Sequence, residues 1–310
     1  TLYGDFSGID RAAWVVSHVF FERKFVTLFT FLFGAGIVLF TESKKRKSQP
    51  ALRLHFRREF WLLIIGLGHA YLLWYGDVLV AYAVCGFVLV FVRTWRPRRL
   101  LALGVVLFAI PSVIYLVSGA GYALADAGTQ ASIEASILAG TGADPSAINE
   151  EIAAYRGSWT EQLAYRMPIV ASLQTTSFVL ESAWIYGGLM TIGMALYKWG
   201  VLSNQRSTRF YRRLLIGSGT AGLSLILTGV WYRELVGWET ARVLLFAWQF
   251  NHWGSLLLAL AYVAGIALLC RAAADSRVTT ALSAVGRTAF SNYLLQTVLA
   301  TTIFYGHGLG

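Results

Sequence analysis

Charge is scarce in this chain. Asp, Glu, Lys and Arg make up 14% of its 310 residues, where an ordinary soluble domain carries about 25%. Combined with 56% hydrophobic residues, a mean hydropathy of +0.58 and several long apolar runs, the shortage excludes a soluble globule and indicates a polytopic membrane protein. Cysteine is scarcer still. Cys85 and Cys270 both fall inside apolar runs, where they read as small packing residues rather than a disulfide or metal pair. None of the five histidines has metal-ligand spacing to an acid or cysteine. There is no GxSxG, no Walker motif, no GxGxxG after a strand, no internal repeat and no pair of broken helices in symmetric positions. The chain opens at Thr1 on a polar, glycine-containing stretch unlike a signal peptide, and it ends just past an apolar run. Both features suggest further segments beyond one or both ends.

What the chain does have is organised around residues 57–93, RREFWLLIIGLGHAYLLWYGDVLVAYAVCGFVLVFVR. Two apolar runs of about 16 residues, flanked by arginines, meet at Trp74-Tyr75-Gly76-Asp77 and read as a transmembrane hairpin. His69 lies in the first run, roughly 12 Å below the turn at 1.5 Å per residue.

The remaining chain reads as helices around this hairpin. Residues 1–24 form an interfacial helix leading into a span over 25–40, where Gly34 and Gly36 allow close helix contact. The hairpin helices cover 60–75 and 78–92. A fourth span covers 99–118, with Pro111 as a kink site. Residues 119–167, rich in Ala, Gly, Ser and acids, form an extracytoplasmic insertion, with ASIEASIL and PSAINEEIAAYR as short amphipathic helices. Spans near 176–197, 213–232, 253–270 and 288–305 follow. The expected fold is an all-α transmembrane bundle of about eight spans, one domain over residues 1–310.

The charges support this alternation. With residues 1–24 outside, the loops at 41–59, 93–99, 198–213 and 271–287 lie inside and hold 19 of the 26 Lys and Arg, while 13 of the 16 acids fall outside. The positive-inside rule then orients the chain. The basic residues are topological signals and lipid-headgroup contacts, which excludes a nucleic-acid surface.

Few polar residues lie at membrane depth, and such residues are costly unless they have work to do. His69 is a candidate general base, with helix-tying hydrogen bonds as the plainer account. Gly66 and Gly68 beside it let a helix or a substrate approach. Asp77 orients a histidine, binds an acceptor or caps the following helix. His18 and Glu22, four residues apart, share one helix face and form either a charge cluster or a substrate-facing site. Glu181 needs a partner if buried, and Arg166 and Arg23 are available at that depth. Asn292 and Gln296 tie helices together or line a polar cavity.

FFERKFVTLFTFLFGAG, the hairpin, GGLMTIGMALYKWGVL and VGRTAFSNYLLQTVLATTIFYGHGLG, in that order, resemble the YeiB-like family of bacterial membrane proteins. Members of that family usually carry a further span with an LDxxRG-type motif at the start, and a further span and basic tail at the end. The family is grouped with transmembrane acyltransferases, including the acyltransferase-3 and heparan-α-glucosaminide N-acetyltransferase families. The resemblance therefore implies a multi-pass protein of the bacterial inner membrane that moves an acyl group from cytoplasmic acyl-CoA to a small-molecule or glycan acceptor outside. In that reading His69 and Asp77 are catalytic, His18, Glu22, Glu181, Asn292 and Gln296 bind substrate, and no metal is needed. A proton-coupled transporter or exporter is the alternative. A non-catalytic subunit of a larger membrane complex, or a homo-oligomer, is the third reading.

Overall fold

The computed structural model describes residues 6–141, 145–274 and 276–309. Among the described residues every regular element is helical. They run α1 (Gly8–Phe20), α2 (Lys24–Arg46), α3 (Ala51–Gly68), a π-helical turn (His69–Leu73), α4 (Leu79–Leu89), α5 (Pro97–Leu124), α6 (Ala127–Thr141), α7 (Pro145–Arg156) and α8 (Trp159–Gln174). A second π turn (Phe178–Ser182), α9 (Ala183–Lys198), α10 (Thr208–Leu235), α11 (Thr240–Arg242), a third π turn (Val243–Ala247), α12 (Trp248–Ala272), α13 (Arg277–Arg287) and α14 (Ala289–Phe304) complete the order.

Among the described residues five stretches are long and apolar enough to cross a membrane: Gly8–Arg46, Pro97–Leu124, Trp159–Lys198, Thr208–Leu235 and Thr240–Ala272. The other expected spans are shorter than the sequence suggests. α4 has 11 residues and α14 has 16. The first hairpin helix carries Arg53, Arg57, Arg58 and Glu59 in its opening turns. Pro111 does not end α5, which runs 28 residues through it. The protein is a multi-pass helical membrane protein, in which α4 and α14 are the short helices among the expected spans.

The centre of the bundle is α9, buried without interruption from Gly187 to Leu196. It lies between α2 and α5 because glycines remove the side chains that would hold the backbones apart. A Cβ on Gly34 would sit 1.9 Å from the Met190 carbonyl oxygen, and one on Gly193 would sit 2.2 Å from that of Phe31. Small residues facing each other in this way drive helix association where the hydrophobic effect gives no preference for protein over lipid. Gly36, by contrast, has nothing within 4 Å.

Polar contacts gather at the two ends of this bundle. At one end Arg11 pairs with Glu234 at 2.9 Å, Arg242 with Glu239 at 2.9 Å, and the Tyr122 hydroxyl lies within hydrogen-bond reach of both Glu134 and Glu239, with one proton to give. Asp126, on the same side, accepts from the amide and hydroxyl of Thr129 at the start of α6, and these hydrogen bonds hold its carboxyl below the usual carboxylate range. At the other end Lys198 donates to the Trp95 carbonyl, and Arg271 donates to Asn204, Thr208 and the Arg206 carbonyl.

Arg166 of α8 holds the hairpin tip. It is 1% exposed and donates to three successive carbonyls at the end of the first π turn: Tyr71 at 3.2 Å, Leu72 at 3.1 Å and Leu73 at 2.7 Å. Trp159 Nε1 also donates to Leu72 O, at 3.2 Å. Helix ends leave carbonyls unsatisfied and carry partial negative charge, so one guanidinium answers both needs. Arg166→Met is expected to cost about 3 kcal/mol or more, since a hydrogen bond from a charged donor contributes roughly 1.5–3 kcal/mol. Stepwise denaturation in mixed micelles, with the Trp74 environment as reporter, checks this.

Candidate functional site

The two arms of the hairpin come closest at Gly66. A Cβ there would lie 2.8 Å from the Val80 amide, so only glycine lets the start of α4 cross so near α3. Gly68 has nothing within 4 Å. The helix then widens into a π turn beginning at His69, where the Trp74 amide bonds back to the His69 carbonyl at 3.0 Å. Insertions of this kind re-aim side chains and recur at functional sites.

The consequence is a buried line of three side chains. Asp77 Oδ1 lies 2.9 Å from His69 Nδ1, and His69 Nε2 lies 3.0 Å from Thr297 Oγ1 of α14. The His69 and Asp77 side chains are 1% and 2% exposed. Asp77 Oδ2 accepts the Val80 amide at 2.9 Å, so the orienting and capping roles are filled at once. A carboxylate can only accept, so it fixes the proton on Nδ1 and leaves the Nε2 lone pair toward the Thr297 hydroxyl. The Tyr293 ring covers the imidazole with centroids 5.0 Å apart. Thr297 opens onto a cavity of about 370 Å³ walled by Trp74, Tyr293, Gln296, Ala300, Thr301, Phe304 and Tyr305. An orienting carboxylate, an imidazole and a hydroxyl at a cavity wall can pass a proton in either direction.

Asp77 also faces a second cavity, of about 220 Å³, on the other side of the turn. Ser182 and Tyr186 wall both this cavity and a third, of about 260 Å³, that contains Glu181 and Arg23. Glu181 stands 3.6 Å from Arg23 and accepts the Tyr115 hydroxyl at 3.1 Å, while Arg23 lies over the Trp248 ring. Of the two partners the sequence offers for Glu181, Arg23 is the one used.

The remaining candidates sit elsewhere. His18 Nδ1 meets Glu22 Oε2 at 2.6 Å and its ring stacks on Trp14 at 4.6 Å. Asn251 donates to Glu22 Oε1 at 3.1 Å, and Lys24, wholly buried, donates to Asn251 Oδ1 at 2.7 Å and to the His18 carbonyl. This closed network makes no hydrogen bond to His69 or Asp77. Asn292 is exposed and donates to Thr288 Oγ1 at 3.1 Å, within the turn that starts its own helix. Gln296 reaches the cavity wall, but its neighbour Thr297 touches the histidine. The sequence gives no sign of Thr297, offers Arg166 only as a partner for Glu181, and gives His252 little weight. A threonine beside a glutamine carries no signal until the helix register is known, and His252 looks like one more residue of an aromatic boundary. Among the described residues no group of three His, Cys, Asp or Glu is placed to hold a metal ion.

A protein-family model described as "Protein of unknown function (DUF418)" matches residues 196–310. The chain is 29% identical to the uncharacterized protein YxaH of Bacillus subtilis (strain 168), over 98% of this chain and 72% of that protein. It is 27% identical to the uncharacterized protein YeiB of Escherichia coli (strain K12), over 99% of this chain and 75% of that protein. No solved structure matches the chain. The similarity to these two proteins spans nearly the whole chain, the hairpin, α9 and α14 included.

Proposed function

We propose that the protein is a membrane-embedded acyltransferase of the bacterial inner membrane, with residues 1–24 and 119–167 on the extracytoplasmic side. It takes an acyl group from cytoplasmic acyl-CoA and passes it to a small-molecule or glycan acceptor. The observation that carries this reading is the Asp77–His69–Thr297 line at the wall of a cavity. In this reading the acceptor hydroxyl or amine takes the position of the Thr297 hydroxyl against His69 Nε2. His69 removes its proton as the acceptor attacks the thioester carbonyl. Asp77 holds the tautomer and stabilises the imidazolium, which returns the proton to the departing CoA thiolate. Arginines of the basic loops suit the CoA phosphates, and Gln296 contacts substrate from the cavity wall. Purified protein is expected to release free thiol from acetyl-CoA, and His69→Ala to lower that release by roughly 10²–10⁴-fold, the usual contribution of a positioned base. Thiol release undiminished in His69→Ala would remove the histidine from the mechanism.

One observation favours a second reading, a proton-coupled transporter. Thr297 Oγ1 also lies 3.2 Å from the Tyr293 carbonyl. With neutral His69 its proton points to Nε2. With protonated His69 the imidazolium donates instead and the hydroxyl turns to Tyr293, so the line has two ordered states. Flux driven by a pH gradient, with no thioester cleavage, separates this reading from the first.

A further inference from the structure

The third cavity is not needed by the proton line, and its wall has a chemical bias. His252 is 1% exposed, clamped between Phe108 at 3.8 Å and Trp248 at 4.2 Å, ring over ring on both faces. Its Nε2 lies 2.9 Å from the Phe108 carbonyl, which can only accept, so the proton sits on Nε2. Nδ1 is then a lone-pair acceptor, and it is buried with no partner. A buried polar atom without a partner costs about 1–3 kcal/mol unless something fills the position.

The neighbouring hydroxyls have the same polarity. Thr27 has committed its proton to the Arg23 carbonyl at 2.7 Å, and Ser255 has committed its own to Asn251 Oδ1 at 3.0 Å. Both oxygens therefore offer lone pairs, and Glu181 adds a carboxylate. Among the described residues the Ser182 hydroxyl has no hydrogen-bond partner. A wall of acceptors calls for a ligand with several donors. Arg23 stands at the same cavity and disfavours a second cation, which argues against an ammonium and for neutral hydroxyls.

We infer that the cavity between α2, α9 and α12 is a binding site for a polyhydroxylated group, a sugar ring or glycerol-type head, received through His252 Nδ1, Thr27, Ser255 and Ser182. About 260 Å³ is room for one such ring. The cavity shares Ser182 and Tyr186 with the one that Asp77 faces, so a ligand seated here lies on the approach to the proton line. As the acceptor seat this rests on the transferase reading, and the test uses binding alone so that the two can fail separately.

The experiment is saturation-transfer difference NMR on the full chain in phosphatidylcholine nanodiscs, with methyl β-D-glucoside as probe. Transfer to the ring protons is expected in the wild type. His252→Phe keeps the stack and removes the acceptor, and should weaken binding about tenfold, the loss of roughly 1.4 kcal/mol. Because that change also strips the Phe108 carbonyl of its donor, Ser182→Leu, which fills the cavity from a different helix, provides a second variant with the same expected loss. No transfer in the wild type, equal transfer in both folded variants, or transfer to ethanolamine in place of the glucoside would overturn the assignment. Glucoside binding without acetyl-CoA turnover would leave the site standing and remove the transferase reading. Turnover without glucoside binding would do the reverse.

Discussion

With the protein acting as the proposed transferase, Asp77→Asn is expected to lower thioester turnover by roughly 10²–10⁴-fold while leaving the fold intact. The reasoning is atomic. The Asn carbonyl oxygen can still accept the Val80 amide, so the start of α4 keeps the hydrogen bond it now receives from Asp77 Oδ2. The amide nitrogen then faces His69 Nδ1, where a carboxylate oxygen stood at 2.9 Å. A donor at that position forces the imidazole proton onto Nε2, which removes the lone pair from the side facing Thr297. The base is present, correctly placed and in the wrong tautomer. Turnover of purified variant and wild type, compared at equal monodispersity on a sizing column, checks this. Unchanged turnover would mean that the carboxylate only caps the helix.

The second large effect is on assembly. Gly193→Leu should destabilise the bundle by about 3 kcal/mol or more, at the upper end of what overpacking costs. The first new atom would meet the Phe31 carbonyl at 2.2 Å, and because a Cβ is fixed by its own backbone and the atom it meets is backbone, no rotamer change relieves it. α2 would move off α9, and the Tyr82–Thr30 hydrogen bond, 2.5 Å long and wholly buried between α4 and α2, would open with it. Gly36→Leu on the facing helix, α2, has open space before it and should be tolerated. Resistance to denaturation in mixed micelles distinguishes the pair.

The sequence made some of this legible and hid the rest, for physical reasons. Helix type and membrane character follow from hydropathy alone, because backbone groups in a bilayer must bond within their own segment. The fold-back at WYGD and the pairing of His18 with Glu22 were local and therefore readable. Span lengths were less so. α4 stops at Leu89 where apolar residues continue to Val92, since apolar content does not mark where a short helix ends. Contacts between distant helices were out of reach. The sequence singles out Gln296 as a helix-tying or cavity-lining residue, but a one-residue difference turns a helix by about 100°, and Thr297 is the residue that arrives at His69. The role of Arg166 was equally hidden. An arginine at membrane depth suggests a carboxylate partner, and here its partners are three backbone carbonyls.

The most direct measurement of the central claim is transfer from radiolabelled acetyl-CoA in proteoliposomes of fixed sidedness, with the thioester supplied only at the end that carries Arg57, Arg93 and Arg271. The account predicts CoA release on that side, labelled acetyl ester or amide on the opposite side, and loss of both in His69→Ala. Proton flux with the thioester left intact, or acetyl transfer unchanged by His69→Ala, would contradict it.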